Sequence, residues 1–368
     1  MGDVVSGECL ADFQQGKLTL KDFEWEPHLR PIEAKAKLAG EDDGAGVPEV
    51  DIGPLYRSDK GSAEYAAMVN SLAEAASSCG FFQVLNHGLR VGALESLYTY
   101  GRRFFSLPLH LKYGTSKLSC HPTSGPSGYI CGNSSSSPNK WWTEALRFPC
   151  QDKASVLSMA ATFCPDDQEA QQFSDIMDEC TLGFARLSQQ LAVLLFQGLG
   201  LKGEDIVKEY VDDVGTPALK ISHYPPCPEP TKILGLPPHS DVSILTLLWQ
   251  DQVGGLQVRL NGDWVTIKPR QDALVVNIGD VFQVWSNDCY ISGVHRATLN
   301  AREPRYSIGY FYYSGKESML TPIPELLKQR EESSKFRSTL LSEHRSYAYS
   351  KVGKGESKGV EYLKILGN

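Results

Sequence analysis

Between residues 217 and 313 the chain consists almost entirely of short β-forming runs. Positions 219–224, 244–249, 256–260, 264–267, 273–278, 282–285, 291–298 and 306–313 are rich in branched and aromatic residues and are separated by turn formers. About eight strands in under a hundred residues leave few architectures open, because one short strand cannot shelter its own apolar face. A β-sandwich or a jelly roll can. Asn261-Gly262 lies between the third and fourth runs and is the dipeptide of a type I′ hairpin turn, so those two runs are expected to pair.

The preceding sequence is of mixed type. Residues 1–46 end in Gly40-Glu41-Asp42-Asp43-Gly44 and are expected to form a flexible lead-in. An N-terminal α/β unit is expected over 47–160. It would hold a short strand at 47–52, a helix over 62–78, a strand at 81–85, a helix over 91–105 and a further helical piece after Pro108. Residues 120–139, rich in Gly, Pro and Ser, read as a mobile loop. Scaffold helices are expected over 161–215. The strongest runs from 173 to 199, where Ile176, Cys180, Phe184, Leu187, Leu191, Leu194 and Leu195 form a core-facing stripe. The β unit would span 216–315, with a helical segment over 316–368 after it.

The chemistry-bearing residues fall in the β-rich stretch. His239 and Asp241 are two apart, so on a strand both side chains share a face. With His295 they offer two imidazoles and a carboxylate, the donor set that leaves open positions on a non-haem Fe(II) ion. A lone His-x-Asp is weak evidence, and the last run adds weight. There Arg305, Ser307, Gly309, Phe311 and Tyr313 alternate with Tyr306, Ile308, Tyr310 and Tyr312. A buried arginine needs an anion, and a small-molecule carboxylate would satisfy it with Ser307 as a second donor. The competing reading is a surface arginine paired with Glu303. On 220–224, Lys220, Ser222 and Tyr224 share a face that looks either into a barrel or into solvent. His87 reads as structural, and His28, His110, His121 and His344 stand alone.

The ordered motifs carry a specific resemblance. They are Val47-Pro48-Glu49-Val50-Asp51-Ile52, Cys79-Gly80-Phe81-Phe82-Gln83-Val84-Leu85-Asn86-His87-Gly88, Tyr224-Pro225-Pro226-Cys227-Pro228, His239-Ser240-Asp241, Asn277-Ile278-Gly279-Asp280, His295-Arg296 and Arg305-Tyr306-Ser307, together with 250–258. From about Val47 to Tyr313 the chain resembles the plant Fe(II)/2-oxoglutarate-dependent dioxygenases that act on small molecules. The resemblance implies a mainly β fold with flanking helices around a double-stranded β-helix (jelly-roll, cupin-like) core. It implies Fe(II) on His239, Asp241 and His295, 2-oxoglutarate held at its far carboxylate by Arg305 and Ser307 with help from Tyr224, O2 as oxidant and ascorbate as activator. Succinate and CO2 would be released as a C–H bond is hydroxylated or desaturated. One departure is Ser222-His223-Tyr224 where the family usually has Asn-Tyr-Tyr, which puts a hydrogen bond near the iron, at Ser222, in question. By position Lys220, Phe311, Tyr313 and Tyr129 resemble substrate contacts. Two other readings keep the fold: an iron oxidase without 2-oxoglutarate, similar to aminocyclopropane-carboxylate oxidase, and a non-catalytic small-molecule binder.

Other classes are disfavoured. A net charge of −8 argues against nucleic acid, and no run reaches the roughly 18 apolar residues of a membrane span. Nine cysteines without a CxxC pair, and no secretory signal, point to reduced thiols in the cytoplasm. Met1-Gly2 with Ser6 fits a loose myristoylation pattern, but Asp3 and the lack of a basic patch favour a solvated terminus. The expected partner is a hydrophobic small molecule, and the expected state a monomer. Gibberellin-like acids, flavonoids, alkaloids and auxin-like acids all remain open as substrates.

Overall fold

Two antiparallel-rich sheets face each other and hold the candidate site between them. The computed structural model describes residues 9–31, 46–115, 120–121, 125–126, 128–132, 140–149, 153–211, 218–314, 319–352 and 359–365. Most of the expected loop 120–139, and Gly2 and Ser6 of the lipidation pattern, lie outside the described residues.

The larger sheet has eight strands. In chain order they are β1 (Glu49–Asp51), β2 (Phe81–Leu85), β3 (Gly128–Cys131), β4 (Glu144–Pro149), β5 (Ala218–Tyr224), β7 (Leu245–Gln250), β10 (Ala273–Ile278) and β12 (Arg305–Tyr312). The smaller sheet has β6 (Leu236–His239), β8 (Leu256–Leu260), β9 (Asp263–Thr266) and β11 (His295–Ala297). The larger sheet runs β1-β2-β10-β7-β12-β5-β4-β3 and the smaller β9-β8-β11-β6. Only β1 and β2 pair in parallel within these two sheets. This is the expected jelly-roll architecture. Asn261 and Gly262 both take positive φ, 50° and 93°, and β8 pairs with β9 across them, as the type I′ turn requires.

The alternation of each strand assigns its faces. On the outer face of the larger sheet lie helices α1 (Ala63–Ser78), α2 (Val91–Phe105) and α3 (Asp167–Gly198). Asp166 caps α3 by accepting from the Glu169 amide at 2.8 Å, so the helix starts before the expected residue 173. Its stripe is buried from Cys180 to Leu195, with Ile176 only partly covered. Phe184 stacks on Tyr310 of β12 at 5.4 Å and 6°, which locks helix to sheet. Each such buried large side chain stabilises the fold by about 1.5–3 kcal/mol.

Three expectations need correction. Residues 282–285 form part of a helix, α4 (Asp280–Trp285), not a strand. Phe282 and Trp285, three apart, both reach Phe196 of α3, a pairing that only helical spacing allows. The run 291–298 forms a strand only at β11. The lead-in is not flexible throughout: Leu10, Phe23 and Trp25 are buried, and the Trp25 amide donates to the Lys232 carbonyl at 3.0 Å. A final helix, α5 (Leu341–Lys351), and residues 359–365 pack near the site.

Candidate metal centre

The smaller sheet sets the two imidazoles side by side. His239 at the end of β6 pairs directly with His295 at the start of β11, and their rings lie 4.1 Å apart. Asp241 follows just beyond the strand end rather than within it. Its Oδ1 is 3.6 Å from His239 Nε2 and 3.8 Å from His295 Nε2. One donor atom from each of the three residues lies within 4.8 Å of the others.

The remaining polar atoms are already engaged. His239 Nδ1 faces the Pro237 carbonyl at 2.8 Å, and His295 Nδ1 faces that of Gly293 at 3.2 Å. Each ring thus donates through Nδ1 and turns the Nε2 lone pair toward the common point. Asp241 Oδ2 accepts from Thr246 Oγ1 at 2.7 Å and from Asn277 Nδ2 at 3.0 Å, which leaves Oδ1 for the same point. Burial, followed by the neighbouring His295, pushes the His239 imidazole down to about 4, so it is neutral and able to ligate. Burial works against the Asp241 charge, but His295, His239, Asn277 and Thr246 outweigh it and hold the carboxyl below its ordinary range. Two imidazoles and one carboxylate fit a divalent iron with open positions.

The inner face of the larger sheet supplies the other expected residues. Arg305 pairs with Tyr224 and Ser307 with Ser222 across β12 and β5. The Arg305 guanidinium lies 4.9 Å over the Tyr224 ring and donates to Gln250 Oε1 at 3.1 Å. It is 2 % exposed, so the surface pairing with Glu303 does not occur. Its Nε, and Gln250 Nε2 beside it, are buried with no partner among the described residues. Asp251, whose carboxyl feels the Arg305 charge, commits its oxygens to the Tyr306 and Val253 amides. A buried cation with an unused donor fits a carboxylate ligand. Lys220, Phe311 and Tyr313 share the inner face, and the last two stack at 6.2 Å and 10°.

Tyr129 does not join them. It sits on the outer face, packed on Phe104 and Tyr113, and donates to Glu144 Oε2 at 2.6 Å. Glu144 also accepts from Lys112 at 2.7 Å and meets His223 Nδ1 at 2.7 Å. The register explains this placement: Tyr129 opposes Leu146 and Glu144 opposes His223, all on the face that points away from Lys220. Sequence reading missed Thr246, Asn277 and Gln250 as supports of the site. Asn277 and Gln250 lie inside the motifs 277–280 and 250–258, and strand alternation turns both inward. His87 is structural as expected, buried with Nδ1 accepting from the Leu89 amide at 3.2 Å. His344 is not alone; its Nε2 lies 3.1 Å from Asp280 Oδ2.

Known proteins match this chain along most of its length. Residues 215–314 match the 2OG-Fe(II) oxygenase superfamily. Residues 47–171 match the family described as the non-haem dioxygenase in morphine synthesis N-terminal domain. Gibberellin 20 oxidase 1 of Arabidopsis thaliana is 33% identical over 283 residues, covering 76% of this chain and 73% of that protein. Protein DMR6-LIKE OXYGENASE 1 of the same plant is 31% identical over 332 residues, covering 87% and 89%. Among solved structures, that of JOX2 in complex with 2OG, Fe and JA superposes with a TM-score of 0.78 at 25% identity, covering 99% of this chain and 98% of that one.

Proposed function

Because the chain belongs to the 2OG-Fe(II) oxygenase superfamily and is an Fe(II)- and 2-oxoglutarate-dependent dioxygenase, we propose that His239, Asp241 and His295 are its iron ligands. In the same reading Arg305, Ser307 and Tyr224 hold the 2-oxoglutarate. The substrate is a hydrophobic small molecule of a plant, a hormone or specialised metabolite, that enters beside Lys220, Phe311 and Tyr313. The enzyme works as a monomer in the cytoplasm. The relatives and the solved neighbour support 2-oxoglutarate chemistry, not an iron oxidase that dispenses with it or a non-catalytic binder.

The observation that carries the assignment is the convergence of His239 Nε2, Asp241 Oδ1 and His295 Nε2 while every other polar atom of the three is tied back to the protein. Bound there, iron supplies the O2 chemistry that couples oxidation of a C–H bond to the decarboxylation of 2-oxoglutarate to succinate and CO2. The chain's own residues position the reactants. Arg305, with Ser307 and Tyr224, anchors the far carboxylate and so fixes which end of the co-substrate faces the triad. Ser222 stands where the family usually has asparagine; its shorter side chain, opposite Ser307 in the strand register, would line the co-substrate space. Leu248, Val275 and Phe81 point inward around the site and keep its walls apolar, which excludes water from the reacting groups.

The test is a screen of plant small molecules with Fe(II), ascorbate and 2-oxoglutarate. Wild-type protein should release succinate with a matching product. Asp241→Ala should lose both iron and turnover, with metal content read by elemental analysis. Full iron occupancy in Asp241→Ala would remove the proposed triad.

A further inference from the structure

Strands β4 and β5 set Arg147 directly opposite Lys220. Both belong to the inward alternation, with Ser222 and Tyr224; the outward alternation carries Glu144 and His223, which meet on the other face. Two cations placed opposite one another on neighbouring strands repel, and a protein interior mutes that repulsion less than water does. Among the described residues neither Arg147 nor Lys220 makes an ion pair with a carboxylate. The acid that Lys220 senses is Asp241, whose oxygens are committed to Thr246, Asn277 and the metal position. Burial, then Arg147, pushes the Lys220 ammonium down to about 8. Yet both residues are only partly buried.

Opposite Lys220 on β12 stands Gly309, which puts no side chain beside the ammonium; the nearest atoms a Cβ there would meet belong to Leu248 and Phe311, at ordinary contact distances from 3.5 Å. Next along the strand are the stacked rings of Phe311 and Tyr313. Arg345 of α5 lies 4.9 Å over Tyr313. The co-substrate does not account for this charge. Arg305 pairs with Tyr224, and Lys220 is four residues further along β5, about 13 Å at strand spacing. A five-carbon diacid anchored on Arg305 cannot also neutralise Lys220 while it faces the triad.

We infer that the molecule this enzyme oxidises is an anion with an apolar body, whose carboxylate seats between Lys220 and Arg147 and whose rings or chain lie against Phe311 and Tyr313. The inference rests on the oxygenase reading above, since it assigns a substrate class to the same cavity.

Phenylacetate and phenylacetamide share a ring and differ in charge, and calorimetric titration of the full chain can compare them. The protein is loaded with Mn(II) and saturating 2-oxoglutarate so that Arg305 is occupied. Phenylacetate should bind at least tenfold more tightly than the amide, and the gap should close in Lys220→Met and in Arg147→Met. Equal affinities, no detectable phenylacetate binding, or a gap that survives both substitutions would overturn the inference. The 2-oxoglutarate affinity is read in the same series. Wild-type protein that prefers phenylacetate but does not bind 2-oxoglutarate keeps the anion site and removes the oxygenase reading. A variant that loses 2-oxoglutarate has lost its fold, and the wild-type comparison then decides.

Discussion

Asp241 uses its two oxygens differently, and the difference can be measured. Oδ2 is held by Thr246 and Asn277, so Oδ1 is fixed facing the two imidazoles, as the proposed metal ligand needs. Thr246→Val keeps the shape and removes one of these bonds; iron affinity should fall about 10- to 100-fold, as read by competition with a chelator. Arg305 makes the second residue-level case. Its replacement by Ala should weaken 2-oxoglutarate binding by about 2–4 kcal/mol, the scale of a lost charge-assisted pair, measured by titration of the metal-loaded protein. Unchanged affinity would free Arg305 from its role. The convergence of His239, Asp241 and His295 and the burial of Arg305 were legible in the sequence because His, Asp and Arg in that order carry chemistry that few other patterns do. Thr246 and Gln250 were not, because a polar residue on a strand looks the same whether it braces a ligand or faces solvent. Tyr129 was misplaced for a related reason: its face is set by register with β4, and register is not written locally.

At the scale of the strand and helix, the outer face of β4 and β5 has its own polar centre. Glu144 binds Lys112, His223 and Tyr129 in a buried cluster, with His223 stacked on Tyr306 at 4.5 Å. Burial opposes the Glu144 charge, but His223 and Lys112 outweigh it and keep the carboxyl below its ordinary value of 4.5. A carboxyl lowered on folding contributes stability that is fully present above its unfolded value and is lost as pH falls through the folded one. Glu144→Ala should therefore destabilise the protein by about 3–5 kcal/mol at neutral pH, since it strands a buried Lys112. Urea unfolding should find the deficit shrinking below pH 4.5. The departure Ser222-His223-Tyr224 gains a physical sense here: its middle residue serves helix packing, not the site. The elements themselves were readable where period and punctuation agreed, as at Asn261-Gly262 and along α3. The segment 282–285 was not, because a short apolar run fits helix and strand alike until its neighbours choose.

Across the whole molecule, the site is closed by a part of the chain remote from it in sequence. His344 on α5 and Asp280 on α4 are both fully buried and pair, while the Gly359 amide donates to Ser240 Oγ at 3.1 Å, between two proposed ligands. The Asp280 amide in turn donates to the Asp241 carbonyl at 2.7 Å. A Cβ on Gly359 would come within 2.5 Å of Asp280 Oδ2. Gly359→Ala should thus lower the thermal midpoint by an amount equivalent to about 1–3 kcal/mol of overpacking, and should speed iron loss to a chelator. A normal rate of loss in a destabilised variant would show that the contact is structural only. None of this was legible in the sequence, since a histidine and an aspartate 64 residues apart carry no mark of meeting. Among the described residues no helix is long and apolar enough to cross a membrane.

The order of synthesis gives that remote brace a further consequence. A growing polypeptide emerges with His239, Asp241 and His295 already made, while the glycine that clasps Ser240 and the imidazole that meets Asp280 are still to come. The nascent barrel therefore owns all its donors before the turn between two of them is supported from behind. If the brace sets how long the proposed ligands keep iron, lasting metallation is expected only after the tail docks, late in the life of the chain.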